Sequence, residues 1–141
     1  MPTTLKYQEY IKGFNDCPPK ECLEVNSQTY RFIYKDLNHP DNFKPVLLIN
    51  PARIADKKFQ LEYNKCIGYA LSFYNSQEKA IKVFLKLLER NLKLGDNIAT
   101  ILLENNEGIA STPESTGHFT FYEYEQTNLR NKITNIEQLS A

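Results

Sequence analysis

The stretch NSQEKAIKVFLKLLERNLKLG, residues 75–95, constrains this chain more than any other. Asn75 and Glu78 have the spacing of a capping box, which satisfies free backbone N–H groups at a helix start. Ala80, Ile81, Phe84, Leu87 and Leu88 recur at helical spacing and make an apolar stripe. Lys79, Lys82, Lys86, Glu89 and Arg90 fall mostly on the other face, and Gly95 supplies the stop. Strand-like runs flank this helix on both sides. CIGYALSFY, residues 66–74, reads as a strand of small and aromatic residues, and Gly68 marks a bulge or a close backbone approach. NIATILLE follows the helix and runs into the hairpin-like turn NNEG. Strands before and after a helix can pair in parallel through a right-handed crossover.

The remaining segments fit around that unit. Tyr7, Tyr10, Ile11 and Phe14 predict a short helix over residues 4–15, capped by Thr3 or Thr4 and ended by Asp16 and Pro18-Pro19. QTYRFIYKD, residues 28–36, alternates as a strand. NHPDNFKP is a turn-rich loop. VLLIN, residues 46–50, reads as a strand buried on both faces. Phe59 and Tyr63 in residues 55–65 could share a helical face. HFTFYEYE closes the sheet after the polar loop STPESTG. Leu129, Ile133 and Ile136 have helical spacing in the tail. The expectation is one α+β domain over residues 1–141. It has a twisted mixed, mostly antiparallel sheet of about five to six strands with two to three helices packed on it.

Bulk properties exclude several classes. Seventeen Lys and Arg balance seventeen Asp and Glu. A general nucleic-acid binder needs excess cations to displace counterions, so no nucleic-acid partner is expected. No apolar run approaches the roughly 20 residues of a spanning helix, so no membrane is expected either. The N-terminus lacks the apolar centre of a secretory signal. Three cysteines are an awkward number for a disulfide framework. These features predict a cytoplasmic protein.

The chemistry-bearing motifs are sparse. Cys17 and Cys22 lie in CPPKEC, but structural zinc needs a second close pair, so no metal site is expected and the thiols read as incidental. His39 and Asp41 read as turn chemistry. Cys66 with His118 lacks the flanking signatures of a nucleophile and base, and Cys66 reads as a small buried hydrophobe. No glycine-rich phosphate loop and no G-x-S-x-G elbow occurs. In GHFTFYEYE, alternation puts His118, Thr120, Tyr122 and Tyr124 on one face and Phe119, Phe121, Glu123 and Glu125 on the other. The phenylalanines should enter the core, and the carboxylates should reach solvent at the strand end.

One resemblance comes from chain order. Arg31 in an early strand, Ser72 in a middle strand before a helix, and Glu123-x-Glu125 in a late strand are similar to the Arg…Ser…Glu-x-Glu order of ADP-ribosyltransferases. The resemblance implies NAD as cofactor, with Arg31 on its phosphates. Ser72 would support the nicotinamide pocket, Glu125 the ribose and the developing cation, and Glu123 would orient the acceptor. The Ser-Thr-Ser string of that family is Ser72-Phe73-Tyr74 here.

With no reaction motif, the sequence favours a binding or regulatory module over an enzyme, and no cofactor. Aromatics concentrate interface energy, so the expected binding positions are Tyr30, Arg31, Tyr74, His118, Tyr122 and Tyr124. The loop STPESTG would form the rim of any site. The expected partner is a protein or a second copy. A homodimer through a sheet face or edge is the simplest version, and a small-molecule ligand is the other candidate.

Overall fold

A computed structural model describes residues 4–89 and 96–139. The chain order is α1 (Gln8–Ile11), β1 (Leu23–Glu24), β2 (Ser27–Ile33), α2 (Val46–Ile49), two 3₁₀ turns (Pro51–Ala55 and Lys57–Gln60), α3 (Glu62–Gly68), β3 (Leu71–Tyr74), α4 (Gln77–Glu89), β4 (Asn97–Leu103), β5 (Gly108–Ala110), β6 (His118–Glu123), a third 3₁₀ turn (Leu129–Lys132) and β7 (Ile133–Gln138). The fold is α+β, with one seven-stranded sheet in the order β1-β5-β6-β3-β2-β4-β7. Every named pairing is antiparallel. The strands flanking α4 do not pair directly as expected: β2 inserts between β3 and β4 and bonds both.

The order of strands forces the sheet to curl. β1 and β2 are four positions apart in the sheet, yet only Val25 and Asn26 separate them in sequence. A flat sheet would put them ~19 Å apart at ~4.8 Å per strand. Three extended residue steps span at most ~11 Å. The sheet therefore rolls until its β1 edge approaches β2. Phe73, Phe119, Phe121, Ile101 and Leu103 fill the inside of the roll, with Val25, Phe43 and Leu129 against them. The outer face carries two patches. Tyr74 and Ile98 pack with Ala80 of α4, and Tyr122 packs with Ile11, Cys22 and Cys66.

Several elements differ from the sequence reading. VLLIN is the single-turn helix α2, which buries Leu47. Residues 66–74 split into the end of α3 and the short strand β3. Gly68 ends α3 and marks neither a strand bulge nor a close backbone approach: a Cβ there would meet a side chain, 2.6 Å from Leu47 Cδ1. The α4 cap falls one residue later than expected, because the Lys79 N–H donates to Ser76 Oγ at 3.3 Å. The expected cap at Thr3, the outward Arg90 and the stop at Gly95 lie outside the described residues. The tail forms the strand β7 rather than a helix. Cys17 and Cys66 form a disulfide across 49 residues, and Cys22 is the free, buried thiol. The two thiols of CPPKEC are thus not equivalent, because the fold brings α3 onto the N-terminal segment. Disulfides persist in oxidising compartments, so the cysteines no longer argue for a reducing one. No described helix is long and apolar enough to cross a membrane.

Candidate functional site

The residues singled out from the sequence fall on two faces of the same strands. On the outer face, β3 and β6 pair Ser72 with Thr120 and Tyr74 with His118. Side chains on one face of a sheet reach their diagonal neighbours. His118 uses that reach: its Nε2 lies 3.0 Å from Ser72 Oγ. Its Nδ1 lies 2.8 Å from Glu114 Oε2. Ser72 and Glu114 are exposed and His118 is half-buried. The edge of the His118 ring packs against Tyr74 at 5.5 Å between centroids.

The loop STPESTG creates this contact. Gly117 adopts φ +84°, a left-handed conformation that glycine takes at no steric cost. The Gly117 N–H donates to Glu114 O at 2.9 Å, and the Glu114 N–H donates to His118 O at 2.8 Å. The turn folds Glu114 back over His118. Glu114 was not singled out from the sequence. Its signal was a carboxylate four residues before the histidine across a glycine turn, a spacing that strand alternation does not weigh.

On the inner face, Arg31 bridges a gap in the sheet. β2 and β3 pair at one position only, Tyr30 with Tyr74. Beyond it the strands part. The Arg31 Nη1–H donates to Ser72 O at 2.8 Å, and its Nε–H donates to Asn42 O at 2.9 Å. The guanidinium also lies over the Phe43 and Phe73 rings. Burial pulls its pKa down to about 10, and the nearby Glu123 carboxylate opposes that shift. Glu123 belongs to this face and is buried, with its side chain 1% exposed. Its expected exposure is corrected by the N-terminal segment, which lies across the end of β6. There the Lys6 Nζ donates to Glu123 Oε2 at 2.7 Å and to Thr127 O at 2.6 Å. Among the described residues, Glu123 Oε1 has no hydrogen-bond partner. Burial raises the Glu123 pKa, and the Lys6 contact opposes it. The net direction is upward, because one oxygen of the carboxylate is left without a donor among the described residues. Tyr7 is held up at about 12 by burial and by Glu123.

The positions named from chain order therefore do not share one pocket. Arg31 and Glu123 face inward, the Ser72 hydroxyl and His118 face outward, and Glu125 is exposed beyond the end of β6. Of the tyrosines, Tyr74 and Tyr122 are buried, while Tyr30 and Tyr124 are half-buried. Tyr122 Oη lies 3.2 Å from Cys66 Sγ. Tyr124 donates to Glu24 Oε2 at 2.7 Å. His39 Nδ1 accepts the Asp41 N–H at 3.1 Å within its turn.

A cavity of about 240 Å³ opens at the mouth of the roll. Leu23, Val25, Ala110 and Phe119 make its apolar wall, and Ser111, Thr112 and Pro113 of the loop STPESTG make one side of the rim. Among the described residues, Glu21 and Glu24 supply the only charges of its lining, both negative. Comparison with protein-family models, with curated proteins and with solved structures gave no match.

Proposed function

We propose that the protein is a binding module, and that its ligand is a small molecule with an apolar body and a protonated amine, seated at the mouth of the curled sheet. The observation that carries this reading is the cavity itself. It combines an apolar wall, a hydroxyl-bearing loop and two carboxylates, with no cation among the described residues of its lining. Binding sites for small ligands combine these parts: apolar area for affinity and a few polar groups for orientation. A volume of about 240 Å³ lies just below the roughly 300–1,000 Å³ usual for ligand pockets, which suits a compact ligand. Glu24 already accepts from Tyr124, which leaves Glu21 as the residue that would meet the amine.

A thermal-shift series of alkyl and aryl amines, set beside their neutral alcohol analogues, tests the reading. An amine at 100 times its dissociation constant should add about 2.7 kcal/mol to stability. The shift should vanish in Thr112→Trp, which fills the exposed rim without entering the core. It should weaken in Glu21→Gln. No shift with any amine, or a shift indifferent to Thr112→Trp, refutes the reading. The solution mass recorded alongside tests the homodimer expected from the sequence. NAD in the same series tests the transferase arrangement, of which Arg31 and Glu123 share one face.

A further inference from the structure

We infer that Ser72 is a nucleophile toward unhindered carboxylic esters, with His118 as its base and Glu114 as the residue that positions that base. None of these three residues lines the amine site; the two sites share only the loop STPESTG, whose Ser111, Thr112 and Pro113 rim the cavity and whose Glu114 meets His118.

Two contacts of the His118 ring select one tautomer. A carboxylate only accepts hydrogen bonds. Glu114 Oε2, at 2.8 Å, therefore fixes the proton of a neutral His118 on Nδ1. That leaves the Nε2 lone pair free, 3.0 Å from Ser72 Oγ, where it accepts the hydroxyl proton. Nucleophile, base and orienting carboxylate in this order are the parts needed to activate a serine. Their supports are rigid. Ser72 and His118 stand on paired strands, and the Arg31 guanidinium pins the Ser72 carbonyl from behind. Ser72 is exposed, so a substrate reaches it without any rearrangement.

The steps balance without a further reactant except water. The Ser72 proton passes to His118 Nε2 as Oγ bonds the ester carbonyl carbon and the C=O π pair moves onto the carbonyl oxygen, to return when the leaving group departs. The carbon–alkoxide bond then breaks, and the leaving alkoxide takes the proton from His118. A water molecule gives its proton to His118 and its oxygen to the acyl carbon. Breaking the Oγ–acyl bond returns the proton to Ser72.

The experiment is labelling of the full chain with an alkyl fluorophosphonate, followed by peptide mass analysis. Oγ bonds phosphorus, fluoride leaves, and the serine proton passes to His118. The expected adduct is on Ser72. A general base contributes about a hundredfold or more, so His118→Gln should slow labelling by that factor. Glu114→Gln should slow it about tenfold, and Glu114→Asp should restore part of the loss, with the melting temperature unchanged in both. Hydrolysis of p-nitrophenyl acetate should fall in parallel, with acetyl-Ser72 detected after a short incubation. An unlabelled Ser72, a label on another residue such as Ser111, or equal labelling rates in wild type and His118→Gln would each overturn the inference.

Discussion

Glu123 is the residue at which burial and pairing conflict most openly. Its carboxyl is held above the ordinary range by burial despite the Lys6 contact. A raised folded-state value means that the folded protein binds the proton more tightly than the unfolded chain. Stability then falls as pH rises from the ordinary carboxylate value through the folded one. The Glu123→Gln variant lacks this titration. Urea melts of the two proteins should show wild type losing ground to the variant as the pH rises above about 4, near the ordinary carboxylate value, through the raised one. A constant difference across that range would contradict the raised value. Gly108 gives a second test at this scale. A Cβ there would stand 2.3 Å from the backbone oxygen of Tyr122, whereas at Gly68 it would meet the movable Leu47 side chain. Gly108→Ala should therefore lower the urea midpoint more than Gly68→Ala, which should cost about 1–3 kcal/mol as overpacking does. Alternation correctly separated Phe119 and Phe121 from His118 and Tyr122. It could not show that Lys6, far away in sequence, would cover Glu123, or that Glu114 would fold over His118.

At the scale of elements, the Cys17–Cys66 bond ties the segment after α1 to α3. Closing a loop of 49 residues restricts the unfolded chain by about 4 kcal/mol in the chain-entropy model. Cys17→Ser should lower the urea-derived stability by roughly that amount. A reductant should lower wild type equally and leave the variant unchanged. The helix α4 was legible because its stripe is long and strongly periodic, and a long pattern outweighs local ambiguity. α2 was not legible: four apolar residues carry no period, and Pro45 precedes a helix start as readily as a strand. β7 has a more specific cause. Ile133 and Ile136 are three apart, which reads as helical. A bulge on β7 sets Ile133 opposite Ile101 and Ile136 opposite Ala99, both inner-face positions. The bulge turns a helical spacing into a strand face.

For the whole molecule, the thiols report on the fold directly. A thiol reagent under non-reducing conditions should find no fast-reacting group in the native protein, one after unfolding and three after reduction, since Cys22 is buried and the other two are bonded. Three reactive thiols in the unreduced, unfolded chain would contradict the disulfide. The α+β class and the antiparallel bias were readable from the sequence because they follow from local periods. The curl was not, because it depends on which strands become neighbours. Those neighbours also set when the protein can be finished. β1 waits for β5, and β2 waits for β3 and β4. No described strand in the first half of the chain has a partner within that half. A chain emerging from the ribosome therefore holds β2 unpaired until β3 follows at mid-chain, and β1 unpaired until β5 has been made. Pairing over such separations is slow, and unpaired strand edges invite association with other chains. The two residues that roll the sheet also make its first half depend on its last.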